Sequence, residues 1–139
     1  MKYLLPPLLA WLVAQTAKVV IRSVQQRRLN LAVLAEMGGM PSSHSAIVMG
    51  LTTGLGRLNG WGSASFAIAL IFSFVVMYDA AGVRRAAGRQ AAVLNRLVED
   101  LMAQRGHPEI RLRELLGHTP VEVLVGAVLG ILVGLIPLG

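Results

Sequence analysis

Four long apolar stretches confine this 139-residue chain to helices that are buried on most sides or immersed in lipid. Tyr3 to Ile21 is interrupted only by Gln15, Thr16 and Lys18, and approaches the roughly 20 residues a helix needs to cross the hydrocarbon layer. Ser42 to Leu58 carries Thr52, Thr53 and several glycines, and reads as a helix that spans, re-enters or sits inside a bundle. Ala64 to Val83 and Thr119 to Leu138 are each long enough to span. Lys2 ahead of the first run permits a secretory-signal reading, but the run is long for a signal core and no small-x-small site closes it.

With 55% hydrophobic and only 14% charged residues, an ordinary soluble domain is excluded, and the length leaves no room for several domains. The expectation is an all-α integral membrane helical bundle, a single domain over residues 1–139, with about four membrane helices and a cytoplasmic helical connection. Asn59-Gly60-Trp61-Gly62-Ser63 reads as a tight turn with Trp61 suited to a membrane interface. Helix is expected from Arg84 to about Gln104, broken by Gly106-His107-Pro108.

Thirteen basic residues stand against seven acidic ones, and they flank apolar segments. That placement favours anionic headgroups or a phosphorylated substrate near them, and argues against a nucleic-acid partner. Arg22, Arg27 and Arg28 lie between the first two stretches, and Arg84, Arg85, Arg89, Arg96, Arg105, Arg111 and Arg113 between the last two, leaving Lys2 and Arg57 for the other side. The positive-inside rule then puts both long connections in the cytoplasm and both termini outside, as expected of an inner or plasma membrane protein. Cysteine is absent, so neither a disulfide nor a thiolate metal site is available. His44, His118 and a carboxylate lack the usual ligand spacing and His107 falls in a polar loop, so neither metal nor cofactor is expected.

In that topology the unusual polar residues converge on one membrane face. Lys18 lies near the end of the first helix, His44 at the start of the second, Asp79, Arg84 and Arg85 at the end of the third, and His118 with Glu122 at the start of the fourth. Ionisable groups at membrane depth are costly, so convergence from four segments points to function, although any one of them alone can be a snorkelling charge. His118 and Glu122 are four apart and share a helix face, where a carboxylate can orient one imidazole nitrogen and leave the other to attack. A histidine nucleophile forms a phosphohistidine, and His44 can protonate the departing alkoxide and then activate water. Ser42, Ser43 and the amides opening the second helix form a phosphate cradle, with Lys18, Arg84, Arg85 and Arg89 neutralising the oxygens. The bland alternatives are helix capping by Pro-Ser-Ser and an interfacial histidine at His118-Thr119-Pro120.

Gln15-x-x-Lys18, Gly38-Gly39-Met40-Pro41-Ser42-Ser43-His44-Ser45-Ala46, Tyr78-Asp79-Ala80-Ala81-Gly82-Val83-Arg84-Arg85-x-x-Gly88-Arg89-Gln90-Ala91 and Leu116-Gly117-His118-Thr119-Pro120-x-Glu122-Val123 occur in this order over nearly the whole chain. Together they resemble the divergent type 2 phosphatidic acid phosphatase family, related to acid phosphatases and vanadium-dependent haloperoxidases. The resemblance implies a metal-independent membrane phosphatase acting on a lipid phosphate monoester or diphosphate such as phosphatidate, phosphatidylglycerophosphate or an isoprenoid phosphate. It also implies that His44 is the acid/base histidine and that His118 with Glu122 is the nucleophile and its carboxylate, where the parent pattern has Asp. Gln15 and Asp79 are supporting members of these motifs. Neither the parental Lys-x6-Arg-Pro motif nor its Ser-Arg pair is present, so phosphate binding by Lys18, Arg84, Arg85 and Arg89 is inferred from location. A catalytically silent protein that binds anionic lipid or scaffolds partners is the alternative. Gly126, Gly130 and Gly134 continue the four-residue spacing from Glu122, a small-residue ridge for a helix contact within the chain or in a homo-oligomer.

Overall fold

A computed structural model of the chain describes residues 1–27, 39–102 and 118–137, the side chains of residues 83–85 and 102 excepted. Within it run α1 (Leu5–Gln26), α2 (Ser43–Asn59), α3 (Ala64–Ala81), α4 (Val83–Met102) and α5 (Pro120–Gly134), and among the described residues there is no strand. Helix starts are written into the sequence. Pro6 and Pro7 sit in the first turn of α1, where a missing N–H costs no hydrogen bond. Ser42, Ser63 and Thr119 cap α2, α3 and α5, their side-chain oxygens accepting from the N–H groups of Ser45, Phe66 and Glu122. Between α3 and α4 stands Gly82, whose backbone stays in the helical region.

α2 is the central helix, packed against α1, α3 and α5. Small residues let its neighbours come close. A Cβ on Gly50 would lie 2.8 Å from Ala10 Cβ, and one on Gly54 2.9 Å from Pro6 Cγ, so α1 rests directly on the α2 backbone. On another side Gly126, Gly130 and Gly134 of α5 stand over Ser42, Ala46 and Thr53. The small-residue ridge is therefore an intramolecular contact between α5 and α2. Polar atoms tie α2 to α3: the Thr52 and Ser73 hydroxyls are 2.7 Å apart, and both reach the Val48 carbonyl.

The outside of the bundle is its most apolar part. Leu8, Trp11 and Leu12 of α1 and Ile68, Ile71, Phe72, Phe74 and Val75 of α3 are exposed, while Ser42, Ser45, Thr52 and Ser73 are buried. Large apolar groups outside and small or hydroxyl-bearing groups inside is the arrangement expected where hydrocarbon is the solvent. α1 and the helical run that begins with α3 are long and apolar enough to cross a membrane. Of the four expected spans, these two meet the length. α2, with 17 residues, and α5, with 15, rise about 25 Å or less, short of a hydrocarbon core of about 30 Å. For α2 the reason is its place: enclosed by three helices, it has little lipid to face. The polar connection begins with α4 as expected, and the helix break at Gly106-His107-Pro108 lies outside the described residues.

Candidate active site

Close contacts set the direction of each helix. Pro6 meets Gly54, Ala10 meets Gly50 and Arg22 meets Gly39, so α1 runs antiparallel to α2, a register that brings Lys18 level with Ser42 and Ser43. α5 runs parallel to α2, Gly126 standing at Ser42 and Gly130 at Ala46. α3 is antiparallel again, with Ser73 at Thr52 and Val48 and its C-terminal Ala80 at His118. Hence the starts of α2 and α5 and the ends of α1 and α3 share one end of the bundle.

Backbone hydrogen bonds fasten that end. His118 N–H donates to the Ala80 carbonyl at 3.2 Å, and Ser42 N–H donates to the Glu122 carbonyl at 3.1 Å. The first fixes His118 to α3 and the second locks the start of α2 to the first turn of α5. His44 and His118, 74 positions apart in the chain, come within a ring-centroid distance of 5.9 Å, edge to face at 66°. His118 is buried, 3% exposed, whereas His44 on the first turn of α2 is exposed.

Glu122 has two roles. Its Oε2 accepts from Thr119 N–H at 2.9 Å while Thr119 Oγ1 accepts from Glu122 N–H at 3.3 Å, a reciprocal capping box. The same Oε2 lies 3.3 Å from His118 Nδ1. Where the resembled parent pattern has Asp, the Glu of this chain meets a local demand. A side chain at the third helical position must reach back to the capping residue, and the additional methylene supplies that reach.

Around the two histidines the remaining candidates divide. Lys18 and Gln15 are buried, at 2% and 8% exposure, on the α1 face that meets α2. A buried ammonium is costly to desolvate and needs polar partners. Ser43 is buried in the first turn of α2, at the positive end of the helix dipole. Ser42 is fully buried and its Oγ accepts from Ser45 N–H at 3.4 Å and from Ser45 Oγ at 3.2 Å, so its hydroxyl works as the cap of α2. Asp79 and Arg89 are exposed, on the last turn of α3 and the second turn of α4. Arg84 and Arg85 open α4, and their side chains lie outside the described residues, as do Arg28, Gly38, Arg105, His107, Arg111, Arg113, Leu116 and Gly117. Among the described residues no group of three or more His, Cys, Asp or Glu is placed to hold a metal ion.

One residue of this end, Arg22, was missed as a site candidate, and so was a buried polar residue farther along α4. Arg22, counted above only toward orientation, places a guanidinium nitrogen 3.4 Å from where a Gly39 Cβ would stand. Its i, i+4 relation to Lys18 was the available signal. Gly39 itself has φ +90°, a left-handed conformation that glycine adopts without strain. Asn95 is buried at 3% and shares one face of α4 with buried Gly88 and Ala91, a 3–4 spacing visible in the sequence.

Residues 1–133 match the Divergent PAP2 family. The chain belongs to that family. It is also 42% identical over 144 residues to YuiD of Bacillus subtilis (strain 168), an uncharacterized membrane protein, an alignment covering 96% of this chain and 91% of that one. No solved structure matches it. The two histidines that carry the family resemblance in the sequence are the two rings found in contact.

Proposed function

We propose that this divergent PAP2 family protein is a membrane phosphatase that hydrolyses a lipid phosphate monoester or diphosphate through a phosphohistidine on His118. The observation that supports it most is the approach of His44 to His118 at 5.9 Å, with Glu122 behind the Nδ1 of His118. Two imidazoles this close can flank one phosphoryl group, one attacking phosphorus and the other reaching the leaving oxygen. With Nδ1 turned to Glu122, His118 Nε2 attacks phosphorus and the bond from phosphorus to the lipid oxygen breaks. His44 gives that oxygen its proton and leaves as the neutral imidazole. It then takes a proton from water, whose oxygen attacks the phosphohistidine, releasing phosphate and restoring both histidines.

The charges suit this scheme. Lys18 and Arg22 on one face of α1, with the first-turn amides of α2, offer positive potential where the equatorial oxygens collect charge in the transition state. The arginine-rich joints favour the cytoplasmic face for this end. Because the chain has no cysteine, a single Gln90→Cys at an exposed position of α4 reports the side directly. Labelling by an impermeant reagent only from the outer side would overturn that placement.

The decisive assay is phosphate release from phosphatidate, phosphatidylglycerophosphate and isoprenoid phosphates in chelator-containing detergent. Wild type is expected to release phosphate, and His118→Ala and His44→Ala to lose at least about 10²-fold in rate. A phosphorylated enzyme trapped by acid quench should be absent from His118→Ala. A folded wild type that binds anionic lipid yet releases no phosphate would sink the catalytic reading in favour of a silent lipid-binding protein.

A further inference from the structure

We infer that the groove between α3 and α5 seats one alkyl chain of the substrate, so that lipid enters sideways from the bilayer and its phosphate arrives at His118; this rests on the phosphatase reading above. Both helices pack on α2 but touch each other little, and between them runs a groove of about 630 Å³. Its walls are Phe74, Val75 and Tyr78 of α3 and Pro120, Val123 and Leu124 of α5, with almost no polar surface. One end abuts the histidine: Tyr78 precedes by two residues Ala80, whose carbonyl holds His118 N–H, and Pro120 follows His118 by two.

Three observations select an alkyl chain over a protein partner. Helices associate in lipid through small residues, and α5 turns its small residues, Gly126, Gly130 and Gly134, toward α2 and away from this groove. The walls instead carry Phe74, Tyr78 and Leu124, all exposed. In addition, α3 belongs to one of the two helical runs long and apolar enough to cross a membrane, and a groove on its exposed face would lie beside hydrocarbon. A chain lying there keeps its methylenes in an apolar setting while its ester phosphate lies beside the start of α5. Selectivity then resides in chain length and shape, and short soluble phosphate esters are poor substrates.

The test uses the full chain and alkyl phosphates from butyl to hexadecyl at fixed detergent. Leu124→Trp and Val75→Trp fill the groove from opposite walls. Each is expected to lower the ratio of hexadecyl to butyl kcat/KM by about tenfold or more, the lower end of what one methylene is worth in an apolar pocket. A second measurement is independent of turnover and of the variants' folding: a hexadecyl phosphonate carrying a mid-chain diazirine should cross-link to peptides containing Phe74 to Tyr78 and Leu124. Cross-links confined to other helices, or a chain-length ratio unchanged in both folded variants, overturn the groove and leave the phosphatase standing. Cross-links in the groove without phosphate release from any wild-type assay support the groove and remove the phosphatase. A disulfide joining two copies through Leu124→Cys would assign the groove to a second copy and overturn the proposal.

Discussion

Glu122 Oε2 accepts the Thr119 N–H at 2.9 Å and, with the same oxygen, lies 3.3 Å from His118 Nδ1. One carboxylate thus fixes the start of α5 and the orientation of the imidazole. The two roles separate under substitution. Glu122→Gln preserves length and a carbonyl acceptor but removes the charge that stabilises the imidazolium, so activity should fall about 10²-fold or more with the melting temperature little changed. Glu122→Asp keeps the charge and shortens the arm, so it should lose about 1 kcal/mol of stability through the cap and retain more activity than the Gln variant. Equal activity in wild type and Glu122→Gln would remove the carboxylate from the mechanism.

Gly126 is where α5 meets the first turn of α2. A Cβ there would press on the Ser42 carbonyl and its Cα-attached Cβ, both parts of the segment that carries His44. Backbone cannot swing aside as a flexible side chain can, so Gly126→Leu should force the two helix starts apart at a cost of about 1–3 kcal/mol. Phosphate release should fall with it, because the His44 to His118 approach depends on that seam. Gly62→Ala is the control, since nothing lies within 4 Å of its added methyl. Thermal unfolding in detergent distinguishes the two, and a Gly126→Leu protein as stable and active as Gly62→Ala would contradict the packing account.

Much of this arrangement was legible in the sequence, and what was not has identifiable causes. The one-ended clustering of Lys18, His44 and His118 followed from alternating apolar runs, because consecutive antiparallel helices must return their joints to the same side. Thr119-x-x-Glu122 carries the capping-box pattern openly, overlaid on the His118 to Glu122 spacing. The place of α2 was ambiguous, since Gly50, Gly54, Thr52 and Thr53 suit both a span and an enclosed helix; only the packing of α1, α3 and α5 around it decides. Arg89 was placed by its location after the third apolar stretch, and its exposure on α4 is a tertiary property that location in the sequence does not reveal. Arg22 was overlooked because its approach to Gly39 depends on the register between α1 and α2, which neither segment encodes by itself.

Thr52 and Ser73 join α2 to α3 by a hydroxyl contact of 2.7 Å at fully buried positions. In a membrane-embedded bundle such interhelical bonds contribute about 0.6 kcal/mol on average and up to about 1.7 kcal/mol. Thr52→Val deletes the hydroxyl at nearly constant volume and leaves Ser73 its bond to the Val48 carbonyl at 3.1 Å. The expected loss is therefore modest, about 1 kcal/mol or less, with turnover unaltered because the pair lies well along α2 from His44. Denaturant titration of wild type and variant measures it; a loss several times larger would mean that the pair organises the helix crossing itself.

Lys18 and Arg22 lie one turn apart on α1, Lys18 buried and level with Ser42 and Ser43, Arg22 against Gly39. Both cations therefore face the segment that begins α2, and a phosphate held there would meet charge-assisted donors from α1 and amide donors from α2. Such a bond to a charged group is worth about 1.5–3 kcal/mol, so Lys18→Met should weaken inhibition by vanadate, a mimic of the phosphoryl transition state, by about tenfold or more. Lys18→Met keeps the buried aliphatic stem, which limits the packing loss. Arg22→Gln should have a smaller effect of the same sign, since its side chain is only half-buried and more open to screening. Raising the salt concentration separates the two contributions: the Arg22 term should fade and the Lys18 term persist. Vanadate inhibition untouched in both variants would show that the phosphate is held by the helix starts alone.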